Sequence, residues 1–276
     1  MNILDKITTS KKREVLLKKS IIPITEFEKS VLFERKTVSL SNNLIHSSTG
    51  IIAEHKRRSP SKGEINYAFS VEEVVQGYDN AGVCGISVLT DSTYFGGSLD
   101  DLIFARATTN LPLLRKEFIV DEFQIIEAKA YGADVILLIA AVLSANEIKI
   151  LSELAQSLGM EVVLEVHNLE ELQKSIMPSL NMIGVNNRNL KTFEVGLNIS
   201  KELASEIPND FVKISESGIS SIDAINELKS FGYKGFLIGE NFMKTENAGK
   251  AAKEFLAPNP QRTDKNISPL TPKGGK

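Results

Sequence analysis

The chain has 276 residues, which is enough for one large domain or two small ones. Hydrophobic residues make up 42% of it and charged residues 24%, a balance typical of globular proteins. Lysine plus arginine (32) nearly equals aspartate plus glutamate (35), and the resulting charge of -3 argues against a nucleic-acid or membrane-surface protein. The single cysteine, Cys84, excludes an intrachain disulfide framework, and no signal or transmembrane segment is evident, so we expect a cytoplasmic protein.

The first 48 residues are polar and mostly helical in pattern. Ile3, Leu4 and Ile7 fall at helical spacing, and no strand alternation follows them. We predict an N-terminal helical extension over residues 1–48, packed on a larger body and covering part of its functional end. A plug at the opposite end of that body is the alternative.

From residue 51, short apolar runs alternate with amphipathic helical segments. Strands that alternate with helices predict parallel pairing with right-handed crossovers. Eight such units over residues 49–257 favour a closed (β/α)8 TIM barrel, with a doubly wound open sheet as the alternative. No strand is followed by G-x-G-x-x-G, which weakens a dinucleotide-binding fold. The runs are Ile51–Lys56, Gly85–Leu89, Leu113–Lys116, Asp134–Ile139, Glu161–Glu165, Met182–Asn186, Phe211–Glu216 and Gly235–Ile238.

Helix start and stop signals separate the runs. Ser-x-x-Glu pairs predict capping boxes, in which a hydroxyl and a carboxylate satisfy free backbone N–H groups. Glycines after the helical segments predict left-handed caps. The start pairs are Ser70 with Glu73, Ser144 with Glu147, Asn168 with Glu171 and Ser220 with Asp223, and the glycines are Gly132, Gly159 and Gly232. The last stretch, 258–276, is rich in proline and poor in apolar residues, which predicts a disordered tail.

Charged or amide side chains end five of the eight runs. In such barrels the active site lies at the carboxyl ends of the strands, so these residues should meet at one rim. Glu54 and Lys56 share one face of the first strand by alternation, and His55 points the other way, into the helix layer. We assign no catalysis to His55, and we interpret His46 and His167 as loop residues. The three histidines and one cysteine show no metal-ligand spacing.

The last two strands carry a phosphate signal. Ser217-Gly218 and Gly239-Glu240 follow them, where barrels commonly bind phosphate with backbone N–H groups. A basic run after the first strand, with Arg57, Arg58 and Lys62, is either a solvated loop or an anion-binding loop.

These segments together resemble the indole-3-glycerol-phosphate synthase family. The resemblance covers residues 1 to about 256 and rests on segments that occur in the family's order. They are I-A-E-H-K-R-R-S-P-S-K-G at 52–63, G-I-S-V-L-T-D at 85–91, F-G-G-S-L-D-D-L at 95–102, L-R-K-E-F at 114–118, L-E-V-H at 164–167, G-V-N-N-R-N-L at 184–190, S-E-S-G-I at 215–219 and I-G-E at 238–240.

The resemblance implies the substrate 1-(2-carboxyphenylamino)-1-deoxyribulose 5-phosphate and the products indole-3-glycerol phosphate, CO2 and water. It implies a carboxy-lyase of tryptophan biosynthesis with no cofactor or metal, a small phosphorylated substrate, and other enzymes of that pathway as candidate partners. Lys116 matches the general acid, Glu165 the carboxylate that assists proton removal, and Glu54 with Lys56 a pair at the reacting end. Which of the two lysines serves the dehydration step stays open.

The resemblance also implies the binding residues. Asn186 and Glu216 match contacts to the sugar hydroxyls, Ser59 a contact to the anthranilate end, and Phe118 an apolar wall for the ring. The phosphate side is matched by Arg188, Ser217, Gly218, Gly239 and the backbone of Glu240.

Ring closure places negative charge on a carbonyl oxygen, which a lysine ammonium can stabilise and protonate. We expect burial and pairing to move the pKa values of the lysines and glutamates toward neutrality.

Two positions depart from the family pattern. His55 stands where a hydrophobic residue is usual, and Glu240 stands where some members have serine. A carboxylate would repel phosphate, so we expect only the Glu240 backbone to bind it and the side chain to swing out. Two alternatives remain open: another phosphate-binding barrel such as phosphoribosylanthranilate isomerase, and a non-catalytic barrel subunit.

Overall fold

The computed structural model describes residues 3–189, 192 and 194–257. Within them, eight parallel strands close into a barrel in which each pairs with its sequence neighbours and the last pairs with the first. The strands are β1 (Ile51–His55), β2 (Gly85–Leu89), β3 (Leu113–Lys116), β4 (Val135–Ile139), β5 (Glu161–Val166), β6 (Met182–Asn186), β7 (Val212–Glu216) and β8 (Gly235–Ile238). The predicted closed barrel is therefore confirmed over the open sheet, and the predicted tail at 258–276 lies outside the described residues.

Helices precede the barrel and fill the intervals between its strands. Before β1 lie α1 (Ile3–Ile21), α2 (Ile24–Glu28) and α3 (Leu40–His46). The others are α4 (Val71–Ala81), α5 (Ser92–Phe95), α6 (Leu99–Thr108), α7 (Glu122–Ala130), α8 (Ala145–Ser157), α9 (Leu169–Ser175), α10 (Asn198–Leu203), α11 (Ile222–Ser230), α12 (Glu240–Met243) and α13 (Ala248–Leu256). A two-residue antiparallel ladder pairs Arg58–Ser59 with Gly63–Glu64 in the loop after β1. In the part of the chain that the structure describes, no helix is long and apolar enough to cross a membrane.

Strand alternation divides the core into two layers. Ile52, Leu114 and Val163 point into the barrel, where they pack with other inward residues. Ile51 and Ala53 point outward and pack against the surrounding helices. The interior is thus filled largely by apolar side chains below the level at which the strands end, and the inward face of several strands ends in polar side chains at that rim.

The predicted helix caps hold with one correction. Ser70 with Glu73 and Ser144 with Glu147 form complete capping boxes, and the Asn168 side chain caps α9. Helix α11 is capped by Ser221 and not by Ser220, because the extended residue with φ of -147° lies directly before Ile222 and its hydroxyl accepts from the backbone of Ala224. The three predicted glycines all have positive φ, which only glycine adopts without strain: Gly132, Gly159 and Gly232.

The N-terminal extension reaches both ends of the barrel. Leu40 and Leu44 of α3 are fully buried and pack with the inward barrel residues, close to the glycines that start β2 and β8. Helix α1 lies at the other end, where its first turns reach the barrel mouth. The extension therefore both closes the amino-terminal end of the barrel and covers its carboxyl end. The division of the chain at residues 48 and 257 stays a prediction.

Candidate active site

The carboxyl ends of the strands surround a cavity, here called the mouth cavity. The polar residues predicted from the strand ends line it because they continue the inward face of each strand. Those residues are Glu54, Lys56, Lys116, Glu165, Asn186 and Glu216, and the predicted site residues Ser59, Phe118, Arg188, Ser217 and Glu240 line the cavity from the loops.

Lys116 stands between two carboxylates that come from across the barrel. Its Nζ donates to Glu216 and lies 3.4 Å from Oε2 of Glu165. The side chain of Lys116 is 14% exposed, that of Glu216 is 2% exposed and that of Glu165 is 6% exposed. This triad of Lys116, Glu165 and Glu216 gives the cavity a buried ammonium that can donate a proton to a ligand. It also gives the cavity two carboxylates that can exchange protons with that lysine.

A second ion pair lies on β1. Lys56 Nζ donates to Oε1 of Glu54 at 2.7 Å. Gly239, just after β8, gives Glu54 its room, because a Cβ on that glycine would lie 2.5 Å from the Glu54 carboxylate. Gly184 on β6 does the same for Glu216, with a distance of 2.4 Å. Two glycines thus make space for two of the site's buried acids.

Burial and pairing separate the pKa values of these groups. Burial alone would lower the pKa of Lys116, but the charges of Glu216, Glu165 and Glu54 outweigh it and raise the pKa above its usual value. Burial also raises the pKa of Glu216 to about 7, against the opposing charge of Lys116. The expected move toward neutrality is therefore found for Glu216 and is wrong for Lys116, because three carboxylates surround its ammonium.

The other two carboxylates behave in the opposite way. Burial would raise the pKa of Glu54, but the neighbouring Lys56 and Lys116 charges hold it below its usual value. For Glu165, the charge of Lys116, a histidine and a hydrogen bond with Asn186 likewise overcome burial and lower the pKa. Near neutral pH, Glu216 is consequently the carboxyl group best able to hold a proton.

One side of the mouth cavity is apolar. Ile3, Leu4 and Ile7 of α1 contribute to it, and the rings of Phe95 and Phe118 lie 5.9 Å apart. The inward side chains of Leu89, Leu137, Ile139 and Leu237 complete that lining. Such a surface suits a planar aromatic group.

A second, more polar cavity adjoins the mouth cavity and shares Glu54, Lys56, Arg188, Ser217 and Glu240 with it. Gly218, Gly239, Lys62 and Lys244 also line this polar cavity. Ser217 has φ of 66° and Gly218 of 76°, so the backbone turns sharply after β7. A non-glycine residue in this conformation is uncommon and costs energy, and such strain concentrates at functional sites. Backbone N–H groups and cations at one place suit an anion.

Glu240 extends across this polar cavity. Its carboxylate lies 3.5 Å from Nζ of Lys62 and 4.0 Å from Nη2 of Arg188. It therefore neutralises cations that an anionic ligand would meet, and the outward orientation expected beside a bound phosphate is not the one seen here.

The basic run after β1 has two functions in the structure. Arg57 makes a bidentate pair with Asp101, and Arg58 donates to the backbone of Ser92, so both arginines tie this loop to the segment after β2. Lys62 alone of the three basic residues lines the polar cavity. The anion-binding interpretation is wrong for the two arginines, because an aspartate and a backbone carbonyl already occupy their guanidinium groups. The sequence does not show these partners.

His55 is oriented as strand alternation predicts. Its side chain is buried on the outward face of β1, and neither ring nitrogen has a hydrogen-bond partner among the residues that the structure describes. Burial, with the charge of Arg57, lowers its pKa to about 4.

Two residues near the site were missed. His167, interpreted as a loop residue, has Nε2 3.4 Å from Oε1 of Glu165. His167 is two residues after Glu165, and within a strand alternation places residues two apart on the same face. Lys11 of α1 is 3% exposed and pairs with Asp91 and Glu117, the residue after Lys116. No local pattern in the sequence marks that long-range contact.

Within residues 3–189, 192 and 194–257, no group of three or more His, Cys, Asp or Glu side chains is placed to hold a metal ion.

Comparison with known proteins agrees with this geometry. The family model for indole-3-glycerol phosphate synthase matches residues 4–255. An indole-3-glycerol phosphate synthase of Bacteroides thetaiotaomicron is 45% identical over 255 residues, covering 92% of this chain and 98% of that protein. One of Campylobacter jejuni is 40% identical over 257 residues, covering 92% and 100%. One of Aquifex aeolicus is 48% identical over 210 residues, covering 75% and 81%.

Solved structures support the fold. A thiamine phosphate pyrophosphorylase from Pyrococcus furiosus superposes with a TM-score of 0.56 at 18% identity, covering 79% of this chain and 96% of that one. At this identity the likeness concerns architecture only.

Proposed function

Because the chain belongs to the indole-3-glycerol phosphate synthase family, we propose that it converts 1-(2-carboxyphenylamino)-1-deoxyribulose 5-phosphate to indole-3-glycerol phosphate, CO2 and water. The observation that carries the residue assignments is the buried triad of Lys116, Glu165 and Glu216 between an apolar wall and an anion-suited cavity. The triad supplies an acid and a base. The apolar wall and the polar cavity supply binding surfaces for the aryl ring and the phosphate of the substrate.

The two cavities orient the substrate. The phosphate binds in the polar cavity, at the backbone of Ser217, Gly218, Gly239 and Glu240 and beside Arg188. The aryl ring lies on the apolar wall with Phe118, and Ser59 contacts its carboxylate end. The sugar hydroxyls between them reach Asn186 and Glu216. Holding both ends brings the aryl carbon to the carbonyl within one molecule, and such positioning can remove up to about 7–11 kcal/mol of barrier.

Lys116 acts in ring closure. As the aryl carbon that bears the carboxylate bonds to the carbonyl carbon, the carbonyl oxygen gains negative charge and takes a proton from the Lys116 ammonium. The bond to CO2 then breaks and its electron pair restores the aromatic ring. The raised pKa of Lys116 keeps the proton in place until the oxygen becomes basic enough to take it.

Dehydration follows and needs both an acid and a base. The hydroxyl leaves as water with one proton, and Glu165 accepts the proton that the closing ring loses. Over the whole reaction the carboxylate leaves as CO2, and the carbonyl oxygen leaves as water with one proton from solvent and one equivalent to the proton that the closing ring loses. Lys56, held by Glu54, is the other ammonium at the cavity. A Lys56→Met variant that accumulates the hydroxylated ring-closed intermediate would assign the dehydration step to Lys56.

The test supplies the purified chain with the anilino-deoxyribulose phosphate and follows indole absorbance and CO2 release together. We expect one CO2 for each indole formed. Supplied instead with phosphoribosylanthranilate, the chain should form no isomerised product. Turnover of that compound with no indole from the other would favour the isomerase alternative, and binding without turnover would favour a non-catalytic subunit.

An enzyme of this step is expected to work in the cytoplasm, with other enzymes of tryptophan biosynthesis as candidate partners. Pull-down of the tagged chain from its own cell extract tests the second point.

A further inference from the structure

A histidine lies behind Glu165, outside the mouth cavity. Nε2 of His167 is 3.4 Å from Oε1 of Glu165, and its side chain is 8% exposed. His167 is not among the residues that line either cavity. It therefore contacts a proposed catalytic carboxylate without reaching the substrate.

Glu171, in the first turn of α9, holds the ring in place. Its Oε2 lies 3.1 Å from Nδ1 of His167 and accepts the His167 backbone N–H at 2.8 Å. Its Oε1 accepts from Asn168 at 2.9 Å. With Nδ1 engaged, the buried Nε2 is directed at Glu165 and has no hydrogen-bond partner within the described residues.

This contact distinguishes the two carboxylates beside Lys116. Both Glu165 and Glu216 pair with that ammonium, but only Glu165 also has an imidazole at ion-pair distance. Burial would lower the pKa of His167, but Glu171, Glu165 and Glu216 together outweigh it and raise the pKa. The cationic ring stabilises the ionised forms of the two carboxylates it faces, Glu171 and Glu165.

We propose that His167, anchored by Glu171, is a positioning residue that keeps Glu165 ionised as the base of the reaction and leaves Glu216 to hold the proton. The inference rests on the proposed function and deepens it. The reaction takes up one proton in each turnover, so the site must have one carboxyl group that can carry it and one carboxylate that is free to accept another. Two glutamates with the same lysine partner would otherwise compete for the same proton.

The decisive experiment is the pH dependence of kcat/KM in a His167→Gln variant. An opposite charge at this distance shifts a carboxyl pKa by about 1–3 units. We expect the acidic limb to move to higher pH by about 1–2 units, with kcat lowered below the new limb and recovered above it, and with KM nearly unchanged. The matched control is His46→Gln on the exposed surface of α3, whose profile should overlay that of the unaltered chain.

Two further measurements do not depend on how well that variant folds. Glu171→Gln leaves the ring in place but withdraws its charge partner, so the acidic limb should move in the same direction by less than about one unit. Nitrogen-15 NMR of labelled histidine reads the His167 titration directly. Its pKa should lie above the usual value in the unaltered chain and fall in a Glu165→Gln variant, because the two groups stabilise each other.

A His167→Gln variant whose activity falls equally at every pH, or whose profile does not change, would overturn the proposal. An NMR pKa of His167 that is the same with and without the Glu165 charge would overturn it too. These outcomes differ from failure of the proposed function, in which the unaltered chain itself forms no indole product.

Discussion

Replacing Lys11 by methionine tests how the N-terminal helix is attached to the active site. The Lys11 ammonium lies 2.8 Å from Glu14, 3.0 Å from Asp91 and 3.2 Å from Glu117, and it is 3% exposed. Methionine keeps most of the apolar stem and removes the charge, which leaves buried Asp91 and Glu117 without the Lys11 ammonium, although Arg115 remains 3.8 Å from Glu117. Removing one partner of a buried ion pair costs about 3–5 kcal/mol.

The contacts that remain place the expected cost near the lower end of that range. Asp91 still accepts from the backbone of Tyr94, and Glu117 still accepts from Thr90 and from the backbone of Phe118. We expect urea unfolding to show a loss of about 3 kcal/mol, unless α1 detaches first and limits the loss to its own docking free energy.

Either outcome should also raise KM, because α1 supplies part of the apolar wall of the mouth cavity. The control is Lys12→Met, one residue along on the exposed face of the same helix. If Lys11→Met matches Lys12→Met in both unfolding free energy and KM, then the buried ion pairs do not hold α1 on the barrel, and the reasoning is refuted.

Three further changes have defined outcomes. His55→Leu should stabilise the chain most at acidic pH. The pKa of His55 is about 4 in the folded chain, below the value of 6.5 in the unfolded chain. The unaltered chain therefore keeps its full free energy of unfolding above pH 6.5 and loses about 3 kcal/mol of it as the pH falls toward 4. Urea titrations at several pH values measure this loss. Gly249→Val should cost about 1–3 kcal/mol, because its Cβ would lie 2.4 Å from Gly77, whereas exposed Lys250→Val should cost less. Lys62→Met should raise KM severalfold and leave kcat nearly unchanged, because Lys62 lines the polar cavity and does not line the mouth cavity.

The barrel was predictable because its signals are local. An apolar run predicts each strand, and capping residues predict the starts of several helices. The alternation of Glu54, His55 and Lys56 already separates inward from outward side chains. The rim constellation follows from the same rule, since every parallel strand ends at the same edge. Lys116, Glu165 and Glu216 are far apart in the sequence, but each lies at the carboxyl end of its strand, as the last residue or the last but one.

What escaped prediction depends on contacts between distant segments. Alternation does not show that Arg57 pairs with Asp101, or that Lys11 pairs with Glu117. The sequence offers mouth cover and bottom plug as alternatives for the extension, whereas in the structure α1 covers the mouth and α3 closes the opposite end. His167 lies one residue beyond Val166, the last residue of β5, where strand alternation no longer predicts the direction of a side chain.

The most direct test of the account is a single-turnover measurement on Lys116→Met, compared with Lys149→Met on the exposed face of α8. Loss of the acid that protonates the closing carbonyl should slow indole formation by about 10²–10⁴-fold, with substrate still bound and the fold retained by circular dichroism. Lys149→Met should match the unaltered chain. Indole formation by Lys116→Met within a few-fold of the unaltered rate would contradict the central claim that this buried ammonium closes the ring.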